Sequence, residues 1–377
     1  MTRTAYLDYN ASAPIRPQAA AAVAQALTLT GNASSVHGFG RRARACLEDA
    51  REAVAALVKA PPSAVVFTSG GTEANNLALR GLAQGRRVLV SAGEHPSVLE
   101  AIDGAAKVPL DPDGVIDLAR LAEMLAGEPQ PALISVMLAN NETGVIQPLD
   151  AVVALARQHG ALVHCDAVQA VGKIAVDMTD LGVDALSVSA HKIGGPQGVG
   201  ALVAAESLAL APLLRGGGQE RRRRAGTENL PGIAGFGAAA ALAAADLDDA
   251  PRIAVLRDDL EQRLHGQAPE VVVIGAGTAR LPNTSCVAVP GLTAETLVMG
   301  LDLAGVAVSA GSACSSGKVA PSHVLRAMGL GEAEAAAAIR VSLGWASAPA
   351  DVDHFVEAWG EIYTRCGAAR RLQSPAA

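Results

Sequence analysis

Aromatic side chains are nearly missing from this chain of 377 residues, at 2% of the total. Alanine takes many helical positions in their place, which shapes packing and says little about function. Cysteine is also sparse: the five (46, 165, 286, 314 and 366) are odd in number and widely spaced. No CxxC or Cys/His metal spacing occurs, which argues against a disulfide framework and a zinc site and favours a reducing cytoplasm. Positive charge is in deficit, with a net charge of −7, so nucleic acid is a poor partner. The run Arg221–Arg224 is the local exception, suited to an anionic ligand or an inter-subunit contact, or to plain solvation. The opening Met1–Asp8 has no apolar signal segment, and the Ala-rich stretch near 233–245 is too short and too weakly apolar to span a bilayer. The glycine fingerprint of nucleotide-binding folds is missing, which disfavours ATP and NAD.

Apolar residues make up half the chain, ample for burial, and the length exceeds what one core usually serves. Apolar, β-branched runs predict strands at 64–68, 87–90, 132–138, 161–165 and 185–188. Helical patterns separate them at 42–58, 73–82 and 149–159. This alternation predicts an α/β protein with a mainly parallel, seven-stranded-type sheet covered on both faces. After a long helical region at 233–264 the character changes. Strands at 271–274, 285–289 and 339–342, with helices near 294–303 and 349–363, predict a smaller α/β domain. The expected division is a large domain over 13–246, with 1–12 and 247–377 forming the small one.

Lysine is the rarest charged residue, with five copies. Lys192 closes Ser189-Ala190-His191-Lys192 at the end of an apolar strand and directly precedes Ile193-Gly194-Gly195-Pro196. Asp166 and Gln169 follow another strand, in His164-Cys165-Asp166-Ala167-Val168-Gln169. A lysine and a carboxylate at strand ends fit pyridoxal phosphate, the lysine forming a Schiff base and the aspartate holding the pyridinium nitrogen. Otherwise Lys192 is a surface lysine, and Asp166 with Gln169 a helix cap and half of a capping box.

Ser69-Gly70-Gly71-Thr72 lies at a strand-to-helix turn, where backbone N–H groups and the Thr72 hydroxyl can bind phosphate. An ordinary capped turn has the same pattern. Ser189 and His191 can also aim hydrogen bonds at a phosphate. His95, in Gly93-Glu94-His95-Pro96, is either structural or a ring that stacks on a cofactor and moves protons. His164 and Cys165 read as core. Asn141, in Asn140-Asn141-Glu142-Thr143-Gly144, is a turn residue or a polar substrate contact. Arg340 sits on an apolar strand and needs either an internal salt bridge or a substrate carboxylate. Cys314, flanked by small residues between Gly311 and Gly317, is the cysteine with the strongest case for reactivity, with Lys318 or a histidine near enough to help its thiolate.

Several of these segments, in order, resemble the NifS/IscS-type cysteine desulfurases of the class V aminotransferase group, with the pyridoxal-phosphate transferase fold type I. They run from Tyr6-Leu7-Asp8-Tyr9-Asn10-Ala11 and Asn32–His37 through Thr68–Glu73, Asn140–Gly144, His164–Gln169, Ser189–Lys192 and Arg223–Asn229 to Gly311–Ser316. The resemblance implies that Lys192 carries the cofactor, Asp166 holds its ring nitrogen and Gln169 its ring oxygen, and His95 stacks on the ring. It implies that Gly71, Thr72, Ser189 and His191 bind the phosphate, with Thr227 reaching in from the partner of a homodimer. Asn141 would serve both cofactor and substrate, Arg340 the carboxylate of L-cysteine, and Cys314 would take the sulfur for an iron–sulfur scaffold or another acceptor. A transient iron–sulfur ligand role for Cys314 is part of that picture; otherwise no metal is expected. Ala33 stands where proline is common, and Pro96 follows the histidine; neither touches a proposed chemical group. The rival readings are a selenocysteine lyase, another class V aminotransferase, or a non-catalytic iron–sulfur assembly scaffold.

Overall fold

The computed structural model describes residues 4–128, 130–311 and 322–373, with side chains to 366. A two-residue strand, β1 (Ala5–Tyr6), precedes the main sheet. That sheet contains β2 (Val65–Thr68), β3 (Arg87–Ser91), β4 (Ala106–Val108), β5 (Ala132–Met137), β6 (Leu162–Asp166), β7 (Ala185–Ser189) and β8 (Gly200–Ala204). Its order is β2-β8-β7-β6-β5-β3-β4. Only β8 runs against the others, pairing antiparallel with both β2 and β7. Every residue of β2, β5, β7 and β8 is buried, as expected of strands packed on both faces.

One face is covered by a core that includes Leu47, Val54, Ile134, Val163 and Phe236, and the other by one with Leu77, Leu79, Val90 and Leu202. Helix Gly38–Leu57 begins four residues before its predicted start, because His37 caps it by accepting from Gly40 N. The predicted helix 233–264 is two helices, Leu230–Ala245 and Ala250–Gln267, joined by a tight turn at 246–249. Counted as one stretch, Leu230–Gln267 is long and apolar enough by composition to cross a membrane, although 233–245 alone is not. Its apolar character has another use: Ile233, Phe236, Ala239 and Ala243 are buried in the first core. Gly237 lies so close to helix Gly38–Leu57 that a Cβ there would meet Ala50 Cα at 2.6 Å.

A second sheet joins β9 (Val272–Val273), β10 (Thr284–Ala288), β12 (Ser309–Ala310) and β13 (Ala338–Ser342) in the order β12-β13-β10-β9, and β11 (Val306–Ala307) pairs with β1. Its core holds Leu260, Leu297, Phe355 and Trp359, and it takes in Ala5 and Leu7 from the start of the chain. The last helix, Pro349–Gln373, runs ten residues past its predicted end.

One buried ion pair ties the basic run to the main sheet. Arg51 donates twice to Glu220, at 2.8 Å each, and Glu220 accepts from Phe67 N at 2.9 Å. Glu220, Arg221 and Arg222 hold φ values of 45°, 55° and 66°, a left-handed run that side chains ordinarily avoid. The ion pair offsets that strain. Glu220→Ala removes two of the bonds that hold the buried Arg51 charge, leaving it Glu48 at 3.0 Å and Val65 O, and is expected to lower stability by roughly 1.5–3 kcal/mol in thermal or urea unfolding. A loss below about 1 kcal/mol would show that the pair is dispensable.

Candidate active site

The parallel strands β2, β3, β5, β6 and β7 all end on one edge of the main sheet, where open α/β sheets place ligands. Glycines shape the first part of this edge. Gly70 has φ +153°, and a Cβ on Gly71 would sit 3.0 Å from Val168 Cγ2. Gly200 opens β8 between Thr68 and Ser189, and a Cβ there would meet Val188 O and the carbonyl carbon of Gly70 at 2.7 Å. The backbones close up, leaving a cradle lined by Ser12, Ser69, Gly71, Thr72, Ser189 and His191, among others.

Helix Gly71–Leu82 points its N-terminus into that cradle with no side-chain cap. Ser189 Oγ is buried there without a partner. His191 Nδ1 lies 3.3 Å from Ser12 Oγ. Burial, then the neighbouring Lys192 charge, pulls the His191 pKa down to about 4. Glu73 accepts from Ser69 N at 2.7 Å and pairs with Arg224 at 2.8 Å. Burial works against its charge, but Arg224 and Ser69 overcome this and hold the carboxyl below its usual range. Thr227 is exposed and does not line the cradle in this chain.

Lys192 ends the short turn after β7 and donates from Nζ to the backbone carbonyls of Asn10 and Ala11, the latter at 2.8 Å. Asp166, the last residue of β6, accepts from Asn75 Nδ2 at 2.7 Å and from Val168 N at 3.0 Å. Asn75 also donates to Ser97 Oγ at 2.9 Å, and Ser97 Oγ lies 2.8 Å from His95 Nδ1. Ser97 N donates to the same Nδ1, so the ring's proton belongs on Nε2. Burial lowers the His95 pKa; Asp166 opposes this, and Lys192 and His323 reinforce it. His95 is therefore neutral at pH 7, within the fields of both Asp166 and Lys192.

The two residues expected to meet the substrate lie on β13 and the turn after β5. Asn141 Oδ1 and Arg340 Nε are both buried without a partner. Arg340 NH1 donates to Asn141 O at 3.0 Å, and NH2 pairs with Asp8 at 2.8 Å. The internal salt bridge weighed for Arg340 exists, and Nε alone of its nitrogens remains unpartnered. Gln169 Nε2 donates to Asn10 O at 2.9 Å.

Lys192, Asp166, Gln169, His95, Asn141 and Arg340 thus share one edge of the fold. Cys314 and Lys318 lie outside the described residues. Among the described residues no three His, Cys, Asp or Glu side chains gather as a metal site. The described cysteines are free, and burial raises the pKa of Cys46, Cys165 and Cys286, the last to about 12. His164 is held in the core by Ser135 and Ser187, at 2.8 and 2.9 Å. Asn75 and Ser97 carry no signal in the sequence, and Asn10 enters it only as part of the opening segment of the resemblance. Glu94, next to His95, is fully buried; burial, then Asp166, pushes its carboxyl well above the ordinary range.

A polar cradle at a helix N-terminus, a lysine after one strand and a carboxylate ending the next define a pyridoxal-phosphate transferase of fold type I. The chain belongs to the class V aminotransferase family, whose pattern it matches over residues 5–355. Within that family it is similar to cysteine desulfurases. It is 44% identical to the cysteine desulfurase of Cereibacter sphaeroides, over 93% of this chain and 94% of the relative. The crystal structure of a NifS-like protein from Rickettsia africae superposes with a TM-score of 0.89 at 36% identity, covering 96% of this chain and all of the other. SspA, solved in complex with cysteine, superposes with a TM-score of 0.78 at 31% identity, over 90% of this chain and 99% of the other.

Pyridoxal phosphate is the cofactor of this family. The residues present fit it: the unpartnered Ser189 Oγ, the uncapped helix and the glycine-cleared backbone suit a phosphate, and Asp166 suits a protonated ring nitrogen.

Glu142 gives this region a pH dependence. It is 2% exposed, accepts from Ser322 Oγ and lies against Gly311, whose Cβ would sit 3.0 Å from Glu142 Oε2. Burial pushes its pKa up to about 7, with Ser322 and Arg340 opposing. A raised carboxyl pKa contributes stability below about 4.5 that is lost as pH rises through about 7. Glu142→Gln removes that slope. Thermal unfolding from pH 5 to 8 should show the wild type falling relative to the variant, by about 3 kcal/mol at most. Parallel curves would refute the assignment.

Proposed function

We propose that this chain is a cysteine desulfurase that converts L-cysteine to L-alanine and moves the sulfur onto Cys314 as a persulfide. The observation that carries this reading is the joint placement of Lys192, Asp166 and the unpartnered Ser189 Oγ along one sheet edge, in a chain whose relatives are cysteine desulfurases. When bound, pyridoxal phosphate supplies an electron sink for the pair left at Cα.

The protein's residues do the rest. Gly71 N–H, Thr72, Ser189 and His191 hold the phosphate. Asp166, oriented by Asn75 and Val168 N, keeps a proton on the ring nitrogen, and Gln169 donates from Nε2 to the ring oxygen. Asn141 contacts cofactor and substrate. The unpartnered Nε of Arg340 receives the substrate carboxylate while Asp8 steadies the other side. Lys192 Nζ takes the Cα proton. His95, neutral by burial, would stack on the ring and offer its Nε2–H, on the nitrogen that Ser97 does not engage, as a hydrogen-bond donor to the substrate sulfur. The Cys314 thiolate then attacks the substrate sulfur. A sulfur–sulfur bond forms, the Cβ–S bond breaks, and its electron pair stays with the three-carbon fragment that leaves, after protonation, as alanine.

Residues 13–246 act as the large domain, and 1–12 with 247–377 as the small domain that brings Cys314 to it. The persulfide passes to an iron–sulfur scaffold or another sulfur acceptor in the cytoplasm, a setting that the free thiols support. Thr227 of the partner subunit completes the phosphate site of a homodimer.

Cys314→Ser tests the sulfur step. The variant should keep the yellow cofactor spectrum and its change on adding L-cysteine, yet release almost no sulfide. Intact mass after brief exposure should show one added sulfur on the Cys314 peptide in wild type alone. Sulfur on another cysteine, or wild-type turnover by the variant, overturns the mechanism. A selenocysteine lyase would instead turn over selenocysteine far better than cysteine, and a scaffold would show no cofactor spectrum. The dimer is tested by mixing Lys192→Ala and Thr227→Ala subunits, each inactive alone. Activity should return to about one site per mixed dimer; none, with exchange confirmed, would rule out the contribution in trans.

A further inference from the structure

Lys173 is the second lysine at the site and has no part in the chemistry above. It follows β6 by seven residues and contributes to the cavity that also touches Lys192, Tyr9 and Trp345. Its Nζ donates to Gln169 Oε1 at 2.6 Å and to Asn10 Oδ1 at 2.8 Å. Both acceptors are side-chain amides, whose ends are told apart only by their partners. A lysine can only donate and a backbone carbonyl can only accept. With Lys173 on Oε1 and Asn10 O on Nε2, the Gln169 amide has one orientation. Asn10 is fixed in turn: its Oδ1 also accepts from Asn283 Nδ2 at 3.1 Å, and its Nδ2 donates to Thr284 Oγ1 at 2.9 Å. The carbonyl that accepts from Gln169 Nε2 is also the one that Lys192 Nζ bonds.

We propose that Lys173 is a positioning residue that locks the Gln169 amide with its N–H edge toward the Lys192 amine, so that the donor is set before the cofactor's ring oxygen arrives. The inference rests on the role given to Gln169 above. The lock survives loss of charge, because a neutral amine retains two N–H groups, one for each acceptor. Burial, then the charges of Lys192 and Arg340, lowers the Lys173 pKa well below the ordinary value.

The test reads the pH midpoint of the bound cofactor's visible absorption in the holoenzyme, without turnover. Loss of a donor to a charged oxygen makes that oxygen more basic and should raise the midpoint by about one pH unit. Gln169→Met should show that rise, Lys173→Met should approach it, and the double variant should rise no further than Gln169→Met alone. Lys173→Gln, which keeps an N–H donor without the charge, should stay near wild type. Full additivity in the double variant, an unmoved Lys173→Met, or a Lys173→Gln that behaves like Lys173→Met would each overturn the lock. If Gln169→Met itself leaves the midpoint unchanged, the role of Gln169 fails first, and the lock with it. Should Lys173→Met not fold, Lys173→Gln against Gln169→Met still decides between donor and charge.

Discussion

Asn10 is the point on which the site depends. It is 1% exposed, near the start of the chain, and every polar group it has is used. Its N–H donates to Ser342 Oγ on β13, its Nδ2 to Thr284 and Asn141 O, and its two oxygens accept from Lys192, Gln169, Lys173 and Asn283. These partners come from the second sheet and from the turns that follow strands of the main sheet. A buried network satisfied to this degree has few alternative arrangements, because each lost bond strands a group away from water. The lysine, the amide and the turn that carries Asn141 are therefore referenced to one residue rather than to one another.

Burial sorts the ionisable groups around that point. His95, His164 and His191 are all driven toward the neutral form, and Glu94 and Glu142 toward the protonated acid. Asp166 is also buried, and Asn75 and a backbone N–H donate to it. The same burial makes poor thiolates of Cys165 and Cys286.

Lys192 and Asp166 were legible in the sequence because each ends a short apolar run, and a strand end is a place that periodicity can find. The large sheet was legible for the same reason, apart from β4 and β8. The first is a three-residue edge strand containing a lysine; the second begins with a glycine that weakens any strand signal, although that glycine is what lets β2 and β7 close on the cradle. Asn75 and Ser97 stayed hidden, and so did the role of Asn10, because an amide or hydroxyl on a helix or loop looks like solvent-facing polarity until a partner 22 to 332 residues away is in view. Arg340 was ambiguous from sequence, and its pairing with Asp8 depends on β13 lying beside the start of the chain.

Glu73 grips Ser69 at the rim of the cradle and Arg224 in the basic loop with a single carboxylate. The loop is anchored further back by Glu220 and Arg51. The rim and the loop consequently share one free energy, and coupling of that kind is reciprocal. Whatever orders the segment after Arg224 tightens the cradle by the same factor by which an anion in the cradle orders that segment. In the homodimer proposed above, retention of a small ligand and association of the subunits would be two readings of a single equilibrium, so dilution of the protein and depletion of the ligand would act in the same direction.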